Sequence, residues 1–223
     1  MNNIDIKEEL TVIARHLLLN ASFIPNLGLL NGKMGIAIFF YHYAEYTKCK
    51  RYSHYANELI GEIYDEVNKN TPKDFANGLC GIVYGLTYLV QNDFLSMDDD
   101  IFEEIDLKIM EWDISNISDY SVETGLSGVG LYLLCRLYCG KEGATIPFAY
   151  SNRVIRRLAE CSVPECKMVY EKFLNRDFSL AEQLKNVLYV LLPQFKTNKQ
   201  AKLLSIKDGL AGFGLRMIMN IKK

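Results

Sequence analysis

The chain has 223 residues, 49% of them hydrophobic and 23% charged, with a net charge of −2. That length buries a proper core, and the balance is ordinary for a soluble globular protein. No basic block exists to neutralise phosphates, which argues against nucleic acid as a partner; no apolar run is long enough to span a bilayer; and the N-terminus lacks the charged-then-apolar layout of a secretion signal. A cytoplasmic protein is expected, with its six cysteines as free thiols.

Helical periodicity runs through the chain and strand patterns are scarce. Residues 6–19 predict an amphipathic helix with Leu10, Ile13, Leu17 and Leu18 near one face. Residues 36–46 are apolar almost all round, and His42 among their aromatics reads as a core residue more readily than as a cavity-facing one. A one-sided stripe returns over 52–67 through Tyr55, Leu59, Ile63 and Val67, and 82–90 are apolar again. Residues 98–110 are one-sided through Ile101, Ile105 and Ile109, and their opening Asp98-Asp99-Asp100 reads as an acidic first turn rather than a metal site. Residues 129–138 are apolar on most sides. Cys135 and Cys139 share a face there, and two thiolates without a nearby histidine do not complete a tetrahedral site, so packing is their expected role. Segments 147–159 and 180–192 read as outer helices and 165–174 as an inner one without glycines, and the chain ends inside a fifth inner helix.

A motif recurs at the start of the apolar helices: Asn31-Gly32-Lys33-Met34-Gly35, Asn77-Gly78-Leu79-Cys80-Gly81, Thr124-Gly125-Leu126-Ser127-Gly128 and Asp208-Gly209-Leu210-Ala211-Gly212. The first glycines are spaced by 46, 47 and 84 residues, the last a little under twice the others. Such a period marks a repeat of about five helical hairpins of about 45 residues, one-sided helices outside and all-apolar helices inside. The residue before each glycine pair belongs to the set preferred at helix N-caps, which places the glycines at the first and fourth helical positions. There they admit a close backbone or a ligand, and the helix starts offer positive dipole ends to a carboxylate, an enolate or a peptide carbonyl. These twelve residues, Asn31, Gly32, Gly35, Asn77, Gly78, Gly81, Thr124, Gly125, Gly128, Asp208, Gly209 and Gly212, are therefore candidate binding residues, with helix packing as the plainer reading of the glycines.

These stretches resemble the lanthionine synthetase C-like family. The resemblance implies one all-α domain over 1–223, an α/α toroid with Gly-x-x-Gly at the starts of its inner helices, here an incomplete ring of about five hairpins. It also implies a lanthionine cyclase, which adds a cysteine thiol of a precursor peptide to a dehydroamino acid. In that family a zinc ion activates the thiol, held by a Cys before one glycine and by an adjacent Cys-His pair before another, both in late repeats. A histidine before a middle repeat handles the enolate proton, and an aspartate lies four residues before the second repeat's first glycine. In this chain the positions just before the glycines hold Leu30-Asn31, Ala76-Asn77, Glu123-Thr124 and Lys207-Asp208, with no Cys or His, Cys80 sits inside a motif rather than before it, and the expected ring is about two hairpins short where the family keeps its metal ligands. Only Asp74, four before Gly78, matches. No metal ligand and no cofactor is therefore expected.

Asp74 and Glu123 are the candidate catalytic residues, each with a plainer reading as an acid favoured near a helix start. The 14 tyrosines are expected mainly in the core with satisfied hydroxyls. Three functions follow: a zinc-free family member that binds a peptide substrate or partner protein; an active thioether cyclase using Asp74 and Glu123; or another α/α toroid enzyme, a glycosidase or terpenoid cyclase, needing paired carboxylates or an aspartate-rich motif. The first is preferred. An open ring leaves inner-helix flanks bare, which predicts self-association through the open edge or a partner that fills it.

Overall fold

The structure is a computed structural model and describes residues 3–96, 99–139, 146–175, 180–194 and 203–221. Among them are ten α-helices: α1 (Asn3–Asn20), α2 (Lys33–Thr47), α3 (Lys50–Glu66), α4 (Leu79–Gln91), α5 (Asp99–Met110), α6 (Leu126–Cys139), α7 (Phe148–Glu160), α8 (Pro164–Leu174), α9 (Leu180–Leu191) and α10 (Leu210–Ile221). The described residues hold no strand beyond one isolated bridge between Leu203 and Gly209. The protein is all-α, as the periodicity predicts. Asp98 and the side chain of Cys139 lie outside what is described.

Two compact units divide the chain. The first comprises Met1–Val67 and Asn186–Lys223, the second Asn68–Lys185. In the first unit every residue of α2 from Lys33 to Ala44 is buried, His42 included. A helix with no wet face has to be wrapped. Helix α3 covers one side with Ala56, Leu59 and Ile63, and α1 contributes Leu10, Ile13 and Leu17. The α2–α3 seam is aromatic: Phe40 meets Tyr55 edge-on at 4.9 Å and Tyr43 meets Tyr52 at 4.6 Å. Tyr41 donates to Asn57, and burial pushes its phenol up to about 12. Helix α10 packs against both α1 and α2. It comes close because residue 214 is glycine; a Cβ there would lie 2.6 Å from the Phe39 ring. A flank of α2 that an open ring would leave bare is thus covered by α10.

In the second unit α4 is buried from Leu79 to Leu89, with α5 and α6 against it and α7 and α8 against α6. Gly130 of α6 serves as Gly214 does: a Cβ would lie 2.8 Å from Leu158 of α7 and 2.7 Å from Val169 of α8. Helix α8 departs from the expectation of a helix like α2 and α4. It buries only Cys166, Val169 and Phe173, while Glu165, Lys167, Met168 and Glu171 face water. It packs beside α6 with one face, so charge on the other costs nothing.

Candidate functional site

Each glycine-pair helix is entered by the same loop. The first helical N–H bonds to a backbone carbonyl seven residues upstream in every copy: Lys33 to Asn26 at 2.9 Å, Leu79 to Pro72 at 2.8 Å, Leu126 to Asp119 at 3.0 Å and Leu210 to Leu203 at 2.8 Å. The next N–H repeats the step in three of them, Met34 to Leu27 at 3.2 Å, Cys80 to Lys73 at 3.3 Å and Ala211 to Leu204 at 3.1 Å. The loop backbone therefore satisfies the orphan donors that a capping side chain meets elsewhere.

This corrects the expected register. Gly32 and Gly78 are themselves the N-caps of α2 and α4, in extended backbone and with no capping side chain. Helices α6 and α10 begin at Leu126 and Leu210, so Gly125 and Gly209 also precede their helices. Asn31, Asn77, Thr124 and Asp208 stand one residue further out, the first two half-buried and the last two exposed. The second glycines, Gly35, Gly81, Gly128 and Gly212, are third in their helices rather than fourth. Space, not backbone torsion, demands glycine at seven of these eight positions. A Cβ at Gly32, Gly78, Gly125 or Gly209 would lie 2.3, 1.9, 2.5 or 2.6 Å from the carbonyl oxygen six residues upstream. At Gly35, Gly128 and Gly212 the corresponding carbonyl lies at 2.3, 2.3 and 1.8 Å. At these seven glycines, the face that would admit a ligand is filled by the chain's own loop.

Neighbouring loops are tied in a fixed register. In the second unit, Phe75 and Ala76 donate their N–H groups to the Glu123 carbonyl at 3.1 and 2.8 Å. In the first unit, Lys207 donates to the Leu30 carbonyl at 3.0 Å. Both Ala76 and Lys207 stand two before a first glycine, and so do their acceptors Glu123 and Leu30. The two candidate acids are thus brought onto joined loops. Asp74 is engaged locally: its Oδ1 accepts from the Asn77 N–H at 2.7 Å and from Asn77 Nδ2 at 3.3 Å. Glu123 is half-buried. Asp119 organises the third loop, accepting from Ser121 N–H at 2.8 Å, Ser121 Oγ at 3.0 Å and the Thr124 hydroxyl. The Thr124 bond first, then the Ser121 N–H, hold its carboxyl below the usual range.

A cleft of about 420 Å³ opens in the first unit between α1 and the loops before α2 and α10. His16, Asn20 and the candidate Asn31 give it polar groups, and Ile24, Leu203 and Leu210 give it apolar walls.

Two buried ionic groups escaped sequence reasoning. Lys33, only 2% exposed, bonds Glu62 at 2.8 Å and Glu66 at 2.6 Å. Burial opposes its charge, but the two carboxylates more than offset this and hold the ammonium above its usual value. In the second unit, fully buried Asp106 accepts from Tyr132 at 2.8 Å and from Arg136 Nε at 2.8 Å. Burial raises its carboxyl against the pull of Arg136 and Tyr132. Glu62 and Glu66, four apart on one helix face, were the available signal for the first. Nothing in the pattern set Asp106 apart from its exposed neighbours. Burial likewise pushes the Cys80 thiol well up, with Asp74 and Asp106 adding to the effect, so Cys80 stays protonated.

The family model described as Lanthionine synthetase C-like protein matches residues 23–138, which contain the first three glycine-pair copies. The chain belongs to the lanthionine synthetase C-like family. No curated protein and no solved structure matches it. Family membership brings the α/α-toroid fold class and a role related to lanthionine synthetases. No helix among the described residues is long and apolar enough to cross a membrane. The Cys and His donors that hold zinc in the family's cyclases are not found at the four positions before the glycine pairs, which carry Asn31, Asn77, Thr124 and Asp208. Among the described residues no three His, Cys, Asp or Glu side chains gather to hold a metal.

Proposed function

We propose that this family member binds a peptide, or a partner protein presenting a peptide segment, during lanthipeptide-type maturation, and does not act as a zinc-dependent cyclase. One observation carries the reading: none of the four positions just before the glycine pairs, Asn31, Asn77, Thr124 and Asp208, nor the residues before them, Leu30, Ala76, Glu123 and Lys207, is a Cys or His such as the family's cyclases use to hold zinc. The cleft beside Asn31 supports the binding half of the proposal. It sets the polar side chains of His16, Asn20 and Asn31 beside leucine and isoleucine walls that suit an apolar side chain. The competing reading is metal-free cyclisation through Asp74 and Glu123. The joined loops of the second and third copies favour it, and the bonds Asp74 spends on Asn77 weigh against it.

The test uses a dehydrated, cysteine-bearing precursor peptide carrying a fluorophore. Binding to the full chain is expected, weakened about tenfold by Asn31→Ala, equivalent to about 1.4 kcal/mol. The peptide's free thiol should persist throughout. Thiol loss that depends on Asp74 or Glu123 would replace the proposal with the cyclase reading, and stoichiometric zinc in untagged protein would overturn the zinc-free assignment.

A further inference from the structure

Ser205 forms part of the wall of the cleft beside Asn31. The residue is 4% exposed, and its Oγ meets no hydrogen-bond partner among the described residues. A buried hydroxyl with neither water nor a partner destabilises the chain that carries it. The other loops show what this position does elsewhere. Ser205 stands four before its first glycine, where the earlier copies have Gly28, Asp74 and Ser121. Asp74 Oδ1 accepts from the N–H three residues on, that of Asn77, at 2.7 Å, and Ser121 Oγ accepts from that of Thr124 at 3.3 Å. In the fourth copy the corresponding N–H belongs to Asp208, and Ser205 Oγ does not take it. The backbone that carries Ser205 is nonetheless fixed. Its carbonyl accepts from the Gly212 N–H at 3.3 Å, and the loop is fastened on either side, Leu210 N–H to the Leu203 carbonyl at 2.8 Å and Lys207 N–H to the Leu30 carbonyl at 3.0 Å. A held loop thus brings an unspent hydroxyl to the wall of a cleft.

The lining also limits what sits there. Among the described residues it holds no Lys, Arg, Asp or Glu, and its one titratable side chain, His16, is exposed. A charged side chain or a terminal carboxylate would be desolvated there without a fixed counter-charge, whereas an uncharged peptide group would not. We propose that Ser205 is the hydrogen-bond donor that orients the cleft's ligand, and that this ligand is an aliphatic residue within a peptide, its backbone carbonyl accepting from Ser205 Oγ and its side chain lying against Ile24 and Leu210. The inference rests on the peptide-binding reading of the cleft and adds which part of a peptide enters: an uncharged residue inside the chain rather than a charged side chain or a free C-terminus. Binding gives the hydroxyl the partner it lacks in the free protein. Removing it therefore acts in opposite senses on free stability and on affinity.

The probe is N-acetyl-leucinamide, one leucine with an amide on either side, followed in the full chain through the methyl signals of Ile24, Leu203 and Leu210. The native protein should bind it, and Ser205→Ala should weaken binding about five- to tenfold. N-acetyl-leucine, with its carboxylate, and N-acetyl-lysinamide, with its ammonium, should bind less tightly than N-acetyl-leucinamide. Without ligand, Ser205→Ala should melt no lower than the native chain, whereas Ser121→Ala, which loses bonds made within its own loop, should melt lower. Absent methyl shifts with N-acetyl-leucinamide, equal affinity for native chain and Ser205→Ala, tighter binding of either charged analogue, or a lowered melting temperature in Ser205→Ala would overturn the proposal. Ser205-dependent binding of N-acetyl-leucinamide by a chain that ignores the labelled precursor peptide would support it, and the maturation reading alone would fail.

Discussion

Gly61 and Gly78 sit in or beside helices, and alanine should act on them in opposite senses. A Cβ at Gly61, exposed within α3, meets nothing within 4 Å, whereas at Gly78 it would lie 1.9 Å from the Pro72 carbonyl oxygen. Gly61→Ala should therefore stabilise the protein by about 0.5–1 kcal/mol through helix propensity and reduced unfolded-state entropy. Gly78→Ala should destabilise it by about 2–3 kcal/mol, because backbone rather than a yielding side chain must move. Denaturant midpoints at constant slope measure both; a neutral Gly78→Ala would return that glycine to the role of ligand contact. Asp119 offers a pH test at the same scale. Its folded carboxyl titrates below the ordinary value, so the strap from Ser121 and Thr124 adds stability that is full above about pH 4 and is lost as pH falls through the lowered folded value. The Ser121 amide, which donates to that carboxylate, should report the transition by NMR with a midpoint below that of an unstructured aspartate. A midpoint at the ordinary value would contradict the strap.

At the scale of helices, Lys33 decides how α2 and α3 hold together at one end. Its ammonium is buried and is met by carboxylates that reach in from the surface, Glu62 at 34% exposure and Glu66 at 46%. Replacing both with glutamine strips a buried cation of its counter-charges and should cost about 3–5 kcal/mol, whereas Lys33→Met, which removes the buried charge and releases the carboxylates to water, should cost less than about 1 kcal/mol. Thermal melts of the two variants distinguish this from a dispensable surface pair, for which both would be near neutral. The same helix shows what was legible from the chain alone. The all-apolar run of α2, the stripe of α3 and the four glycine pairs were plain, since each is a statement about side chains. The helix entries were misread because their partners are carbonyls of Asn26, Pro72, Asp119 and Leu203, four residue types with nothing in common but a backbone oxygen. Asn31 and Asn77 looked like caps, yet a loop folded back on the helix start leaves them outside it. Asp106 was hidden for the converse reason: its burial is made by Arg136 and Tyr132, thirty and twenty-six residues away.

At the scale of the whole molecule, the span that identifies the family is not the span that closes the core. The match runs over residues 23–138. In the first unit, however, α2 is covered by α1 and by α10, which lie before and after that span, and Gly35 packs against Ile206 as Gly214 packs against Phe39. Lys207 and Leu30 bond across the two loops in the register that joins Ala76 to Glu123 in the second unit. The C-terminal glycine-pair helix thus serves α2 as a neighbouring repeat, and α2 depends on a segment far away in sequence. A repeat core stays dry only while its flanking repeats are present. A polypeptide of residues 23–138 alone should consequently expose Phe39 and Met34, bind a hydrophobic dye strongly and associate, while the full chain does neither at the same concentration. Adding back residues 203–221 as a separate peptide should partly quench the dye, because the α10 contacts do not require a continuous chain. A trimmed span that remains monomeric and dye-silent would mean that α10 only decorates α2, and the distinction between recognisable repeat and sufficient core would fall with it.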